Sequence, residues 1–362
     1  MAGGGAERAV TILLGSLDRR RFQPTLALFE RRGVFLAAIP PDVPIVDLGG
    51  RTRLSLGWGA LRLALAIRKM RPALVLAVMR IPCLAAAACG QVFPDTSVVL
   101  WAQSHVERAL AGRGRPYRAL VTPLVRRLYP RARAVIAVSR GVRDNLVQAF
   151  GVRAERVQVI PNALQIEPVR TLAAQEPPLR LDWTVPTVVA VGRLVPQKGF
   201  AYLLDAFARL GARPCQLLIL GDGPERAALW RQAQTLGIQD RVVLAGFQPN
   251  PFAAMARSAV FVLSSLWEGF PFVLMEAMAC GVPVVSTDCP SGPAELVTDG
   301  ENGLLVPPAD PAALALAMDR LLADPARARS MAQAALEGLD AYRSERVIPR
   351  YEDALEAIAR SR

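Results

Sequence analysis

Short runs of consecutive apolar residues recur along the chain and alternate with longer stretches in which apolar residues have helical spacing. The runs are Leu74–Val78, Ser97–Trp101, Ala134–Val138, Val157–Ile160, Thr187–Val191, Gln216–Leu220, Val242–Leu244, Val260–Leu263 and Val282–Ser286. Because polarity does not alternate within these runs, both faces of each predicted strand should be buried, as in parallel strands covered by helices. The main helix candidates are Gly199–Leu210, Glu225–Leu236, Phe252–Arg257, Pro271–Ala279, Pro293–Val297 and Pro311–Ala323. This order predicts an α/β protein with two doubly wound, Rossmann-like domains.

A segment with the composition of a linker separates the two predicted domains. Its turn-forming and proline-containing motifs are Pro161–Asn162, Glu167–Pro168 and Gln175–Pro178. A fresh strand begins at Thr187, and the chain closes with a predicted helix, Tyr351–Ala359, beyond a break at Pro349. The sequence therefore predicts that the first domain ends near residue 168 and that the second begins near residue 172.

The beginning of the first domain departs from the usual pattern. A doubly wound domain opens with a buried strand that leads into a glycine turn. Here the glycine turn, Gly3–Gly5, comes with no apolar run before it. We therefore expect either that the recorded start lies too late or that the first domain lacks its first strand.

Composition narrows the class of protein. The 362 residues suffice for about two domains, and 52 % of them are apolar, which excludes a disordered or fibrous protein. The five cysteines form no CxxC pair, which indicates reduced thiols in a cytosolic protein, and the single histidine excludes a histidine-based zinc site. No run of 18 uncharged apolar residues and no cleavable signal peptide is present, so neither a membrane span nor secretion is expected.

Positive charge is concentrated in the first half of the chain. Residues 1–171 contain 26 basic and 10 acidic residues, whereas residues 172–362 contain 17 and 21. Two stretches are especially basic: Arg51–Arg71, which includes Arg53, and Arg113–Arg133. Their charge indicates a polyanionic partner such as a membrane surface, a nucleic acid or a phosphorylated substrate. These stretches form either helices that lie on anionic lipid or ordinary surface helices with solvated arginines. Nucleic acid is not expected, because no aromatic residues are interleaved with the cations.

Several familiar cofactor motifs are absent. The chain has no Walker phosphate loop, no GxGxxG after a strand and no Asp-x-Asp pair, so we expect no nicotinamide cofactor and no metal-bound diphosphate. Two cations, Arg193 and Lys198, follow the predicted strand Thr187–Val191. Ligands bind at the carboxyl ends of strands in open α/β sheets, so both cations lie where a ligand is expected. Lysine is rare, with Lys198 one of only two against 41 arginines, which favours a specific role for its compact charge over an incidental surface position.

The segment from Glu268 to Glu276 carries the clearest chemical signal. Glu268 lies in a loop after a predicted strand, and Pro271 suits the first turn of a helix that carries Glu276. The N-terminus of such a helix offers unpaired N–H groups and partial positive charge, which suit a diphosphate. A carboxylate farther along the helix can accept hydrogen bonds from ribose hydroxyls. The alternative is one capping and one solvated glutamate, which leaves a carboxylate on an apolar helix unexplained.

Taken together, the motifs resemble those of a large family of retaining glycosyltransferases, family 4. They are the Glu-x7-Glu segment, Ala277–Ser286, Gly300–Val306, Val191–Gly199, Leu220–Pro224, Val138–Ser139, Val159–Asn162 and Gly4–Arg8. They follow one another in the family's order and cover nearly the whole chain.

The resemblance implies a GT-B architecture, in which two Rossmann-like domains face each other across a cleft. It implies an N-terminal acceptor-binding domain of residues 1–168 plus 345–362, onto which the last helix crosses back, and a C-terminal nucleotide-sugar-binding domain of residues 172–344. Catalytic roles fall on His105, Arg193, Lys198 and Glu268. Donor contacts fall on Gly4, Gly5, Arg193, Lys198, Phe247, Gln248, Gly269, Phe270, Pro271, Phe272, Val273, Leu274 and Glu276.

Within that resemblance each residue has an expected part. Arg193 and Lys198 neutralise the leaving diphosphate, Glu276 holds the ribose and Glu268 contacts the donor sugar. Phe247 and Gln248 flank the base. His105 either contacts the sugar or assists deprotonation of the acceptor, and a purely structural hydrogen-bonding role is the alternative for this residue.

These expectations define one preferred function and two alternatives. The preferred function is a retaining, metal-independent and cofactor-free transfer of a hexose or N-acetylhexosamine from a nucleotide-sugar, with UDP as the expected nucleotide, to a saccharide or lipid-linked acceptor. We expect a cytoplasmic protein, peripheral to the inner face of the plasma membrane through its basic first domain. The alternatives are a nucleotide-sugar epimerase, which the Glu-x7-Glu spacing disfavours, and a truncated, non-catalytic relative that binds or assembles.

Overall fold

The computed structural model describes residues 4–49 and 56–361. Arg51, Arg53 and Gly3, which belong to the motifs above, lie outside these residues. The chain divides into two compact units. Unit 1 comprises Met1–Ala163 and Tyr342–Arg362, and unit 2 comprises Leu164–Ala341.

Unit 1 contains two parallel sheets and seven α-helices among its described residues. The helices are α1 (Gly5–Ser16), α2 (Leu56–Met70), α3 (Arg80–Val92), α4 (Val106–Ala111), α5 (Arg115–Leu128), α6 (Arg140–Phe150) and, from the end of the chain, α15 (Ser344–Arg360), with a 3-10 helix at Val34–Ala38. The strands are β1 (Leu26–Leu28), β2 (Ile45–Asp47), β3 (Leu74–Val78), β4 (Ser97–Ala102), β5 (Ala134–Ala137) and β6 (Val157–Val159), together with short 3-10 turns. Strands β3-β4-β5-β6 form one sheet, and β1 pairs with β2 separately. In the described chain α1 is the first element, and no strand precedes it.

Helices cover both faces of the four-stranded sheet. Strands β4 and β5 are buried along their whole length, as their uninterrupted apolar runs predict. On one face, α3 approaches so closely that a Cβ at Gly90 would lie 2.9 Å from a methyl of Val98. On the other face, Ser97 Oγ donates to the carbonyl of Ile358, and Trp101 Nε1 donates to Tyr351 Oη over 3.1 Å. Helices α3 and α15 therefore enclose the sheet from opposite sides.

The predicted break at Pro349 is wrong, because helix α15 continues through this residue. It runs without interruption from Ser344 to Arg360, with the proline inside it. A proline removes one backbone hydrogen bond from a helix. The helix persists because its inner face is buried over its whole length, through Val347, Ile348, Tyr351, Ala354, Leu355 and Ile358.

Unit 2 is a single six-stranded parallel sheet with helices on both sides. Its strands are β7 (Thr187–Val191), β8 (Gln216–Leu220), β9 (Val242–Gly246), β10 (Val260–Leu263), β11 (Val284–Thr287) and β12 (Leu304–Val306). Its helices are α7 (Ile166–Ala173), α8 (Phe200–Ala208), α9 (Arg226–Thr235), α10 (Phe252–Arg257), α11 (Phe272–Ala279), α12 (Pro293–Leu296), α13 (Pro311–Ala323) and α14 (Pro325–Gly338). The strand order is β12-β11-β10-β7-β8-β9, so the order of connection reverses between β7 and β10.

The boundary between the units differs by a few residues from the predicted one. Residues 164–168 lie in unit 2, because α7 packs against α10 and α11. Residues 342–344 lie in unit 1, since they lead directly into α15. The described helices include none with both the length and the hydropathy required to cross a bilayer.

Candidate active site

The carboxyl ends of the unit 2 strands bring five loops to one edge of the sheet. Because all six strands are parallel, the loops after β7, β8, β9, β10 and β11 emerge on the same side. Open α/β sheets bind ligands at this edge, at the point where the strand order reverses. In unit 2 that point lies between β7 and β10.

The loops after β7 and β10 are tied together at this reversal. Gly199 adopts φ +63°, and a Cβ there would lie 2.1 Å from the backbone oxygen of Ser264. Ser264 Oγ in turn donates to the carbonyl of Lys198 over 2.8 Å, and Leu266 N donates to the carbonyl of Gln197 over 2.8 Å. Glycine is required at 199 for both its dihedral angle and this close approach. These contacts fix the backbone that carries Lys198.

We expect Gly199→Ala to lower the free energy of unfolding by more than its matched control, Gly211→Ala. Both glycines have φ near +60°, so an alanine at either position introduces about 1–2 kcal/mol of backbone strain. Only at 199 does the added methyl meet backbone, because nothing lies within 4 Å of a Cβ at Gly211. Overpacking adds about 1–3 kcal/mol at 199. Urea unfolding of both variants measures the difference, and equal losses would contradict the close approach.

Lys198 and Glu268 form an ion pair across the two loops. Lys198 Nζ donates to Glu268 Oε1 over 2.6 Å, and their side chains are only 15 % and 9 % exposed. Ser265, which is fully buried, donates to the same carboxylate oxygen over 2.7 Å. The aliphatic part of Lys198 lies over Gly192, where a Cβ would contact three of its methylenes at 3.4 Å. The ammonium and the carboxylate are therefore held rigidly at the point where the strand order reverses.

The loop after β8 packs onto the turn that carries Arg193. Cβ atoms at Gly221 and Gly223 would lie 1.9 Å and 2.5 Å from the carbonyl oxygens of Gly192 and Leu194. Leu194 N donates to the carbonyl of Asp222 over 2.9 Å. Leu194 itself is buried, whereas Arg193 is exposed and makes no ion pair among the described residues. The turn thus presents the Arg193 guanidinium to solvent from a rigid backbone.

Glu268 leads into helix α11 through Gly269, Phe270 and Pro271. The helix begins at Phe272, and Pro271 is its N-cap residue, so the proline lies just before the first turn and no side chain caps the N-terminus. Its first turn contains no acidic residue. The N-terminus of α11 therefore keeps the electrostatic character that favours an anion.

A second loop, after β11, packs against the entry to this helix. A Cβ at Gly292 would lie 2.7 Å from the carbonyl oxygen of Gly269 and 2.9 Å from Pro271 Cδ. The preceding residue, Ser291, has φ +73°, which is rare for a serine. Its hydroxyl is buried and has no hydrogen-bond partner among the described residues. Such strain and an unsatisfied polar group occur together at ligand sites.

Glu276 is the fifth residue of α11 and lies one turn from its start. It is only 5 % exposed, and every neighbour from Leu274 to Ala279 is buried as well. A carboxylate at such a position is expensive to bury unless it has a partner or a function.

The loop after β9 contains the residues expected to flank a base. Phe247 directly follows the strand and is 59 % exposed, which is unusual for a large apolar side chain. Gln248 is half-buried, and its amide donates to the carbonyl of Ala245 over 2.9 Å. Gly221 N donates to the carbonyl of Gly246 over 2.8 Å, so this loop adjoins the loop after β8.

The remaining expected site residues lie in unit 1. Gly4 is the N-cap of α1, and the carboxylate of Glu7 lies against it. His105 is the N-cap of α4, where its Nδ1 accepts a hydrogen bond from Arg108 N over 3.4 Å. Partial burial lowers the pKa of the His105 imidazole, which favours the neutral ring. With Nδ1 accepting, the ring proton resides on Nε2, which makes Nε2 a hydrogen-bond donor.

The thiols and potential metal ligands offer no second centre in the described chain. All five cysteines are free, and burial raises the pKa of the Cys83, Cys280 and Cys289 thiols to about 12, which makes them unreactive. No group of three or more histidine, cysteine, aspartate or glutamate side chains is arranged to hold a metal ion in residues 4–49 and 56–361.

Comparison with known proteins agrees with this architecture. A family model described as Glycosyltransferase Family 4 matches residues 3–167, and one described as Glycosyl transferases group 1 matches residues 174–337. Anabaena HepE, solved in complex with UDP and glucose, superposes with a TM-score of 0.81 at 24 % identity over 98 % of this chain and 96 % of HepE. The two units thus have the GT-B fold of glycosyltransferases. The chain belongs to glycosyltransferase family 4.

Two curated relatives match part of the chain. One is a Campylobacter jejuni N-acetylgalactosamine-N,N'-diacetylbacillosaminyl-diphospho-undecaprenol 4-alpha-N-acetylgalactosaminyltransferase, 36 % identical over 51 % of this chain and 49 % of the relative. The other is a Streptomyces coelicolor exopolysaccharide phosphotransferase, 37 % identical over 62 % of this chain and 23 % of the relative. The chain thus covers half or less of the length of these two relatives.

Proposed function

We propose that the protein transfers a hexose or N-acetylhexosamine from a UDP-sugar to a saccharide or lipid-linked acceptor, with retention of configuration and without a metal ion. The acceptor is proposed to lie at the cytoplasmic face of the membrane. The observation that carries the proposal is the Lys198–Glu268 pair, held at 2.6 Å where the strand order of unit 2 reverses. The same loop leads from Glu268 into the uncapped N-terminus of α11.

The leaving group accounts for the cations. Transfer forms a bond from an acceptor oxygen to the anomeric carbon and breaks the bond between that carbon and a phosphate oxygen. The electron pair of the broken bond remains on the departing nucleoside diphosphate, which also takes up the proton of the acceptor hydroxyl. Arg193, Lys198 and the N-terminus of α11 stabilise that charge by fixed electrostatics, so no divalent ion is required in this proposal. An ammonium has three N–H donors. Lys198 can therefore keep its bond to Glu268 and still donate to a phosphate oxygen.

The two glutamates bind different parts of the donor. Glu268 Oε1 accepts from both Lys198 and Ser265, which leaves Oε2 to accept a hydroxyl of the donor sugar. Glu276 accepts from the ribose hydroxyls, and the exposed ring of Phe247 stacks on the base beside Gln248. The backbone entering α11 contacts the diphosphate through Gly269, Phe270, Pro271, Phe272, Val273 and Leu274. Neither glutamate is assigned the role of covalent nucleophile.

In unit 1 the proposal follows the family resemblance for Gly4, Gly5 and His105. Gly4 and Gly5 contact the donor at the start of α1. For His105 the hydrogen bond at Nδ1 favours one of the two expected roles, because a proton on Nε2 donates to a sugar hydroxyl and does not accept a proton from the acceptor.

Two of the similar proteins support the choice of ligands. HepE was solved with UDP and glucose. The Campylobacter relative is named for transfer to a diphospho-undecaprenol-linked saccharide. The proposed acceptor class and nucleotide are consistent with both.

A thermal-shift panel of UDP- and GDP-sugars, followed by a transfer assay, tests the proposal. A ligand bound only by the folded state at 100 times its Kd stabilises it by about 2.7 kcal/mol, so the matching UDP-sugar should raise the melting temperature. Transfer to a polyprenyl-linked saccharide should then persist in EDTA, with an α product from an α donor. Activity that requires added manganese would contradict the metal-free step. An epimer formed without acceptor would identify an isomerase, and no binding of any nucleotide-sugar would favour a non-catalytic relative.

A further inference from the structure

Helix α2 exposes an apolar face that no other described element covers. Trp58, Leu61 and Leu65 are 64 %, 51 % and 55 % exposed, and their spacing places them along one side of the helix. The opposite side, with Leu63 and Ile67, is buried. The helix is therefore already anchored to its unit by one apolar side while it presents a second to solvent. Three large exposed side chains in one stripe mark an interaction surface.

Cations flank this stripe without acidic neighbours in the sequence. Arg62, Arg68 and Lys69 lie on the exposed side of α2, and none of them is ion-paired among the described residues. No aspartate or glutamate occurs between residues 48 and 94. An apolar stripe bordered by unpaired cations is typical of helices that lie in the interface of an anionic bilayer.

Helix α5 repeats the arrangement on the same side of the sheet. Leu120 is 66 % exposed and Leu124 is 39 % exposed, with Arg118 and Arg127 exposed nearby. Residues 108–143 contain no acidic residue.

Both helices pack against α3. Cys89 Sγ of α3 contacts the carbonyl of Ala60 in α2, and the Arg80 guanidinium of α3 lies 5.5 Å from the ring centroid of Tyr117 in α5. Because α15 covers the other face of the sheet, α2 and α5 belong to one outer layer of unit 1.

We infer that the outward side of α2 and α5, comprising Trp58, Leu61, Leu65, Leu120, Leu124 and the flanking cations, docks unit 1 on an anionic lipid bilayer. The charge pattern selects this partner, because headgroups supply the negative charge that the chain itself lacks over both segments. The tryptophan and leucines enter the headgroup region, and the long arginine and lysine side chains reach the phosphates. The purpose of docking rests on the proposed lipid-linked acceptor, but the binding itself does not.

Vesicle co-sedimentation tests this surface independently of turnover. The wild-type chain should bind vesicles of phosphatidylcholine with 30 % phosphatidylglycerol, and not pure phosphatidylcholine, at low salt. Raising the salt from 0.05 to 0.5 M should weaken binding by at least about tenfold, since screening shortens the reach of the cations. The variants Trp58→Ala with Leu65→Ser, and Arg62→Gln with Arg68→Gln and Lys69→Gln, should each lose at least about tenfold in affinity.

Exposed residues of unit 2 provide matched controls. Trp230→Ala with Leu316→Ser removes comparable apolar side chains, which are 40 % and 71 % exposed, and Arg320→Gln with Arg327→Gln and Arg329→Gln removes three exposed cations. These variants should bind vesicles as the wild type does. No binding to anionic vesicles, or equal losses in the two sets, would overturn the inference. A dimer of the wild type would also overturn the inference if sedimentation velocity showed that Trp58→Ala with Leu65→Ser dissociates it. The exposed face of α2 would then bind a second copy of the chain. The melting temperature with bound UDP should be the same in the wild type and in all variants. This control distinguishes a failure of the membrane inference from a failure of the proposed transferase function.

Discussion

Replacing Lys198 with alanine is expected to lower turnover by at least about 10²-fold. The ammonium stabilises charge that develops on the leaving diphosphate, and removing one preorganised donor of this kind typically has such an effect. The variant should also be less stable, because Glu268 loses its partner while only 9 % of its side chain is exposed. Breaking a buried pair typically lowers the free energy of unfolding by about 3–5 kcal/mol. Turnover must therefore be measured well below the melting temperature of the variant.

Two controls separate chemistry from stability in that experiment. Arg213→Ala breaks another 2.6 Å ion pair of unit 2, with Asp319, and should leave turnover near wild type. The double variant Lys198→Ala with Glu268→Gln removes both charges and should recover much of the lost stability without recovering turnover. If the double variant regains wild-type turnover together with its stability, the pair is structural and the assignment to the diphosphate is wrong.

Replacing Glu276 with alanine should likewise lower turnover by about 10²-fold or more. The expected cause is a donor that is no longer positioned, since a small displacement of the reacting atoms is enough for a loss of this size. The side chain lies one turn into α11 and is almost fully buried, so the carboxylate is well placed to act on a bound ligand and poorly placed to interact with solvent. Steady-state kinetics with the donor varied should show a raised KM together with the lowered kcat.

A second buried glutamate supplies the matched control. Glu352 in α15 is 6 % exposed, and it accepts from Asp18 N and from Arg21. Glu352→Gln should lower the melting temperature and leave the KM for the donor unchanged. Glu276→Gln should raise the KM for the donor and leave the melting temperature unchanged. A large loss of stability in Glu276→Gln with unchanged donor kinetics would assign Glu276 to the fold.

The buried strands could be predicted because their sequences alone carry the signal. Strands β3, β7, β8 and β10 have the predicted bounds, since each is a continuous apolar run of four or five residues. Strands β1, β2 and β12 carry no such signal, because each has only three residues and because none of the three is buried in β1 or in β2. The sequence predicts helix α15 too short, because a proline is locally a helix-ending signal, whereas burial of the whole inner face lets this helix continue through it.

The sequence proposes individual residues for the candidate site, but it does not give the contacts between them. Lys198 and Glu268 are 70 positions apart, and they meet only because β7 and β10 are neighbours in the sheet. No local pattern encodes that neighbourhood. Ser265 and Ser291 were missed for the same reason: the first is significant through its bond to Glu268, the second through its φ angle and its buried hydroxyl. Serines directly after an apolar strand and before a glycine are the only signals that the sequence offers for them.

The contact between Tyr351 and Trp101 has a consequence for the order in which the chain folds during synthesis. The Tyr351 hydroxyl accepts from Trp101 Nε1 and donates to the carbonyl of Ile160 over 2.9 Å, so a residue from the last helix completes a core that the first half of the chain begins. Unit 2 is made entirely before α15 leaves the ribosome. Domains generally fold in the order in which they emerge. Here the unit that begins first must wait, with the inner face of β4 uncovered, until the second unit is already complete.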